Sequence, residues 1–231
     1  MGESVQKLTH IEHVLKRPDS YVGPVDLSSE QYWIHHKTDN RFKKKSINYS
    51  PALLKIFDEI LVNAIDRNSL HPKHVTSISA RIDKETGSVT IENNGPLGGI
   101  SVKMHEKEGV WNPELTFGHL LTSTNYDDNK KRIVGGRNGY GAKLTNIYSS
   151  EFSVIIKDHE NKKTYSQKWE NNMTVCHPPK ITKHSGSTSS VSITFVPDWK
   201  RFGMKSMDNN IYKIFEKRVW DANICTTPNC K

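Results

Sequence analysis

Gly135-Gly136-Arg137-Asn138-Gly139-Tyr140-Gly141-Ala142-Lys143 places four glycines in seven positions. Such a run frees backbone N–H groups and tolerates left-handed backbone. The residues from Ala142 to Tyr148 read as a helix. A glycine-rich loop feeding a helix start suits a phosphate, because unpaired N–H groups and the helix dipole both face the anion. Lys143 adds a positive charge in the first turn, and Gly141 is expected to take left-handed backbone and to let the chain approach its ligand. Neither common phosphate loop is present. Walker A needs Gly-Lys-Ser/Thr, where this chain has Gly141-Ala142-Lys143-Leu144. The dinucleotide fingerprint needs a glycine where Leu144 stands. On this stretch alone, a loop without a ligand stays open as the alternative.

A second group lies on the clearest helix. Ser50 is a good N-cap and Pro51 fits the first helical position. Leu53, Leu54, Phe57, Ile60, Leu61, Ala64 and Ile65 form a broad apolar face, which predicts a helix over 51–67. Glu59, Asn63 and Asp66, at i, i+4 and i+7, fall on one stripe. An ordinary exposed face accounts for Asp66 as well as a site does. The neighbours of Glu59 and Asn63 are Ile60, Leu61 and Val62, so burial on several sides is expected and a site reading is favoured.

Two further stretches carry polar groups near turns. Val75–Ile82 and Ser88–Glu92 alternate as strands around Lys84-Glu85-Thr86-Gly87, a hairpin. It runs into Asn93-Asn94-Gly95-Pro96-Leu97-Gly98-Gly99, which is either a plain turn or a loop whose Asn93 faces a planar ligand. Ser123 to Arg132 is polar, has no periodicity and leads straight into the glycine loop, as a lid would.

The remaining elements must position these groups. Thr9-His10-Ile11-Glu12 reads as a capping box for a short helix that Arg17-Pro18-Asp19 stops. Ser20 to Asn48 mixes turns with extended pieces such as Tyr32-Trp33-Ile34, and Lys43-Lys44-Lys45 reads as a solvated loop. Trp111 to Leu121 is expected to be helical in its second half. Phe152–Ile156, Lys163–Trp169 and Ser189–Val196 read as strands, His177–Ser187 as a connecting loop, and Asp208–Ala222 as an amphipathic helix.

Composition bounds the class. The chain has 231 residues, 33 basic against 25 acidic, for a net charge of +8. An anionic partner, nucleotide or nucleic acid, is favoured. Three cysteines, Cys176, Cys225 and Cys230, are too few for a disulfide scaffold and suggest a reducing compartment. Cys225 and Cys230 have no second ligand pair near them, and the eleven histidines are scattered. No apolar run is long enough to span a bilayer.

Taken in order, these stretches resemble the ATPase domain of eukaryotic-type DNA topoisomerase II. The likeness begins at Glu12-His13-Val14-Leu15-Lys16-Arg17-Pro18-Asp19-Ser20-Tyr21-Val22-Gly23. It continues through Phe57-Asp58-Glu59-Ile60-Leu61-Val62-Asn63-Ala64 and Leu120-Leu121-Thr122-Ser123-Thr124-Asn125-Tyr126-Asp127-Asp128, and closes on the glycine loop. It implies an α+β fold, a two-layer sandwich of a mixed, mainly antiparallel sheet with helices on one face. That fold is shared with gyrase, the heat-shock chaperone, histidine kinases and MutL. The resemblance further implies ATP and Mg²⁺ as ligands. Glu59 would be the general base and Asn63 the magnesium holder. Asn93 would read the adenine, and Ser123, Thr124 and Asn125 would reach the sugar and phosphates. Gly136, Arg137, Asn138, Gly139, Tyr140, Gly141, Ala142 and Lys143 would wrap the phosphates.

It also implies an organisation. Residues 1–231 would be one ATP-binding domain with an N-terminal strap over about residues 1–20. A transducer carrying a lysine for the γ-phosphate, and a DNA-cleaving tyrosine, would follow in the full-length enzyme. That enzyme would be a homodimer acting on DNA, and this stretch alone would be mostly monomeric and weakly active, with no membrane partner. Three departures stand out: Arg67 after Asp66, a loop two residues longer after Asn94, and Val5 where the family's strap carries a tyrosine. The short loops and substitutions resemble the versions of large cytoplasmic DNA viruses such as African swine fever virus, which implies host cytoplasm; a cellular version would imply the nucleus. A chaperone or mismatch-repair ATPase of the same fold, a histidine kinase and a plain basic nucleic-acid-binding module are the competing classes. The 122–128 stretch argues against the first, and Glu59, placed to activate water, against the second.

Overall fold

The computed structural model describes residues 6–95, 100–120, 122 and 139–231. The main sheet has seven strands: β3 (Ile78–Asp83), β4 (Ser88–Asn94), β5 (Ser149–Asp158), β6 (Lys163–Glu170), β7 (Val175–Cys176), β8 (Lys180–Lys183) and β9 (Ser190–Pro197). Their order is β3-β4-β9-β5-β6-β7, with β8 also on β6, and every pairing among the described residues is antiparallel. Burial alternates strictly along β4: Val89, Ile91 and Asn93 are buried while Ser88, Thr90, Glu92 and Asn94 are less so. One face of the sheet is therefore covered and the other meets solvent.

Helices cover the buried face. They are α1 (His10–Lys16), α2 (Pro51–Leu70), α3 (Asn112–Gly118), α4 (Gly141–Ile147) and α5 (Asn209–Cys225). A separate two-stranded hairpin, β1 (Ser28–His36) and β2 (Arg41–Tyr49), packs beside α5. The architecture is the expected two-layer α+β sandwich.

The local signals work as physical chemistry requires. Thr9 and Glu12 close a reciprocal capping box on α1. Ser50 accepts the N–H of Leu53 at the start of α2, where Pro51 follows. Asp208 caps α5 by accepting the N–H of Ile211. Phe57 on α2 stacks on Phe215 of α5 with ring centroids 4.1 Å apart, which locks the two longest helices together.

Four expectations need correction. Lys43-Lys44-Lys45 is not a loop but part of β2; the side chains from Arg41 to Ser46 are all exposed, so no apolar alternation marks the strand. The helix within 111–121 occupies the first part, Asn112–Gly118, because Pro113 sits in its opening turn. The 177–187 connection contains β8. Asn93 is the next-to-last residue of strand β4 and not part of the loop after it.

Candidate active site

The α4 helix is the hub. Ala142, Lys143, Leu144, Thr145, Asn146 and Ile147 are all buried, unlike the one-sided burial of an ordinary surface helix. Its polar side chains, and that of Tyr148 just after it, bond to its neighbours. Thr145 Oγ1 donates to the Ile56 carbonyl of α2 at 2.8 Å. Asn146 Nδ2 donates to the Phe117 carbonyl of α3 at 3.0 Å. Tyr148 Oη donates to the Val14 carbonyl of α1 at 2.7 Å. Buried polar groups demand partners, and here the partners are the three helices around α4.

Glu59 meets the start of that helix. A Cβ placed on Gly141 would lie 2.7 Å from Glu59 Cδ and 3.2 Å from its Cβ, and would run into the carboxylate oxygen Oε2. Gly141 is a glycine because α2 passes against it. It does not have the expected left-handed backbone, which falls instead on Gly139 at φ 65°. Thr145 bonding Ile56 while Gly141 meets Glu59 means that α2 and α4 run past one another in opposite senses. On its other flank Glu59 forms an ion pair with Lys55, one turn back.

The adjacent carboxylate faces elsewhere. Asp58 Oδ1 accepts from Arg218 Nε at 2.9 Å, and Arg218 Nη1 also reaches Asp221 at 2.9 Å. Burial lifts the Asp58 carboxyl above its usual range, against the opposing pull of Arg218. Asp58 thus ties α2 to α5 while Glu59 is turned toward α4. Asn63 and Asp66 lie further along α2, both partly buried.

Lys143 is 1% exposed. Its Nζ donates to the Gly139 carbonyl at 2.7 Å and to the Thr122 carbonyl at 2.5 Å. Burial pushes its ammonium down to about 8. The expected phosphate charge is therefore turned onto two carbonyls, one in the glycine loop and one at the head of the polar stretch. Its third N–H remains for a phosphate, because an ammonium carries three donors and the carbonyls take two.

Asn93 closes the polar end of a row that crosses the sheet through Val191, Ile156 and Tyr165. It is 6% exposed and donates to the Asn94 carbonyl at 3.2 Å. Asn94 instead braces the backbone, accepting from Thr76 and Ser77 N–H groups at 2.9 Å. Gly95 has φ 104° and sits against the His74 carbonyl, so no other residue fits.

Among the described site residues, the fold thus joins Glu59, Gly139, Tyr140, Gly141, Ala142 and Lys143 at the α2–α4 contact. Ser123, Thr124, Asn125, Gly136, Arg137 and Asn138 lie outside the described residues, as do Val5 and residues 96–99. Sequence reasoning missed Thr122, Thr145 and Lys55, whose roles depend on what lies across from them. A shallow cavity of about 300 Å³, lined by Thr9, His10, Ile11, Gly118, His119, Leu120 and Met173, contains none of the predicted site residues.

Known proteins decide the family. No protein-family model matches the chain. Over 222 residues, 96% of its length, it is 47% identical to DNA topoisomerase 2 of Candida glabrata. Over 221 residues it is 43% identical to the Penicillium chrysogenum protein of that name, and over 217 residues 44% identical to that of Drosophila melanogaster. The crystal structure of the ATPase region of Saccharomyces cerevisiae topoisomerase II superposes with a TM-score of 0.91 at 46% identity over 95% of this chain. The chain belongs to the ATPase-domain family of eukaryotic-type DNA topoisomerase II. It spans 16% of the Candida glabrata protein and 57% of the crystallised yeast region. The ATPase and transducer structure from Balamuthia mandrillaris gives a TM-score of 0.89 at 44% identity. These relatives are cellular, so the likeness to viral versions draws no support from them.

Proposed function

We propose that this domain binds and hydrolyses ATP with magnesium as the gate of a type II DNA topoisomerase. The observation that carries the reading is the Glu59 carboxylate set against Gly141, where the glycine loop enters α4. A base must sit beside the phosphate cradle to take a proton from water attacking the terminal phosphate. Glu59 meets the start of α4, while its neighbour Asp58 is committed to Arg218. Gly141 leaves the space in which that carboxylate stands.

The donor set suits the cation. Glu59 and Asn63 offer hard oxygen atoms one helical turn apart, and magnesium takes few protein ligands of this kind. Asn63 would hold it, and when bound the ion neutralises charge on the phosphates. Lys143 supplies the fixed positive charge of the loop, and Asn93 presents an amide at the covered face for the adenine. Ser123, Thr124, Asn125 and Gly136 to Asn138 would complete the sugar and phosphate contacts.

Replacing Glu59 by Gln tests this. Hydrolysis should fall by about a hundredfold or more while nucleotide binding persists. Near-normal turnover in Glu59→Gln rejects the assignment of the base. Asn63→Ala should weaken binding in magnesium and leave magnesium-free binding unchanged.

In the full-length enzyme the domain would act in a homodimer on DNA, with closure driven by ATP. Residues 1–231 alone should be mostly monomeric and slow, because the family resemblance puts a γ-phosphate lysine in the transducer. Light scattering and hydrolysis, with and without a transducer, check this. A viral source with a cytoplasmic site rests on Arg67, Val5 and the short loops; a nuclear site follows for a cellular source. Imaging of the tagged full-length protein separates them.

A further inference from the structure

The β1–β2 hairpin and the first turn of α5 hold cations that, Lys37 apart, are placed without being neutralised. Lys45 Nζ donates to Asn210 Oδ1 at 3.4 Å, and Lys84 Nζ, from the β3–β4 turn, donates to Asn209 Oδ1 at 3.3 Å. Two ammonium groups lie over the Tyr212 ring, Lys37 at 5.6 Å and Lys84 at 5.7 Å from its centroid. Lys44 lies over Trp33 at 5.5 Å. Amides and rings fix where a cation sits and leave its charge in place.

Carboxylates lie near this surface: Asp83 and Glu85 flank Lys84 in its turn, with Asp83 accepting from the Glu85 and Thr86 N–H groups. Glu216 pairs with Lys37 at 3.2 Å, and Asp39 pairs with Lys43. Asp208 is engaged in capping α5. Arg41, Lys44, Lys45 and Lys84 form no ion pair among the described residues, and all four are exposed. This matters because most basic side chains deeper in the fold are committed, Arg218 to two carboxylates and Lys143 to two carbonyls.

The geometry selects a ligand. The cations come from two separate chain segments, the β1–β2 hairpin and the β3–β4 turn, so an extended polyanion fits better than a small anion. The rings of Trp33 and Tyr212 already carry ammonium groups, so their faces are not open platforms for unpaired bases, which single-strand binders require. A duplex keeps its bases stacked inside and presents phosphates outside. We propose that this face, with Lys37 and Lys84 over Tyr212 and Lys45 held on Asn210 beside it, contacts the phosphodiester backbone of duplex DNA. The choice of DNA among polyanions rests on the topoisomerase reading; the surface does not.

The test is fluorescence anisotropy of the 231-residue chain with a mixed-sequence duplex of roughly 20 base pairs over a range of salt. The triple variant Lys37→Gln, Lys45→Gln, Lys84→Gln should bind about tenfold or more weakly near 0.1 M salt, with the log–log salt slope flattened by about two. The pair Lys180→Gln, Lys183→Gln on β8 should bind as the parent does. Melting by circular dichroism checks folding, and if the triple variant does not fold, Lys84→Gln alone should flatten the slope by about one. Unchanged duplex binding in a folded triple variant overturns the proposal, as does an equal loss in the β8 pair. Tighter binding of an oligothymidylate than of the duplex, or equal competition by polyglutamate at matched charge, also overturns it. ATP binding is measured on the same samples: duplex binding without ATP binding would sink the proposed function and leave this surface standing.

Discussion

Gly141 and Glu59 occupy one another's space: the missing side chain of the first is where the carboxylate of the second stands, with Glu59 Cδ 2.7 Å from the position a Cβ would take. Gly141→Ala must therefore move either the carboxylate or the helix start. Because α4 is buried all round and bonded to three helices, the carboxylate is what yields. The expected result is a folded protein that loses hydrolysis by about tenfold or more and loses less in nucleotide affinity. Hydrolysis and calorimetric binding measured together check it; equal losses in both would mean the loop, not the base, was displaced.

Lys143 makes a pH-dependent contribution whose sign is fixed. Its folded value of about 8 lies below the ordinary lysine value of 10.5, because burial disfavours the ammonium. Between those two values the unfolded chain binds more protons, so stability rises with pH across that window. The cost of the buried charge is fully present below about 8 and fades above it. Compared with Lys143→Met, the parent should gain roughly 2–3 kcal/mol between pH 7 and pH 10.5. Urea unfolding of both proteins at the two pH values measures it. A constant difference between the two would mean that Lys143 is not a buried cation. The same variant should bind ATP more weakly.

Much of this was legible in the sequence because it is local. The Ser50 cap, Pro51 and the apolar spacing that follows mark α2 almost to its end, and the i, i+4 spacing puts Glu59 and Asn63 on one stripe. The hairpin strand Arg41–Tyr49 was not legible, because its side chains are exposed until Ile47 and nothing alternates. Three site features depend on residues far away in the chain. Gly141 reads as a loop glycine until Glu59 is seen across from it. Lys143 reads as an exposed charge until Thr122 and Gly139 close over it. Asn93 reads as a turn residue until β9 extends β4 past it. The single signal overlooked was Pro113, which marks a helix start.

Asn93 stands at the end of an apolar row, so its amide can be changed without opening the core. Asn93→Asp keeps the shape and replaces the amide donor with a carboxylate oxygen. ATP affinity should fall by about tenfold or more if the amide faces the adenine, with little change in melting temperature. A large loss of stability at unchanged affinity would assign Asn93 to the fold alone.

Arg218 spans Asp58 and Asp221, and removing it leaves a half-buried carboxylate on α2 beside the base. Arg218→Met should cost about 1–3 kcal/mol, less than a fully buried pair because both partners keep some solvent. Arg218→Lys should recover only part, since an ammonium cannot fork between the two carboxylates as the guanidinium does. Chemical denaturation of the three proteins gives the ranking, and a lysine variant as stable as the parent would mean that charge alone matters here.

Thr145 separates the support of the site from its chemistry. Its hydroxyl donates to the Ile56 carbonyl one turn before Glu59, and it also reaches the Gly141 carbonyl at 3.2 Å. It is not itself a predicted ligand contact, yet it holds α4 to α2 at the point where Gly141 and Glu59 meet. Thr145→Val keeps the volume and removes the donor, which should cost about 1–2 kcal/mol of stability. If the contact also sets the position of Glu59 against the glycine loop, kcat should fall severalfold while the KM for ATP changes little, because the defect appears in aligning the base and not in holding the nucleotide. Thr145→Ser, which restores the hydroxyl, should restore kcat even though it leaves a methyl-sized gap. Recovery of stability without recovery of kcat in the serine variant would place Thr145 in the packing of α4 and remove it from the alignment of Glu59.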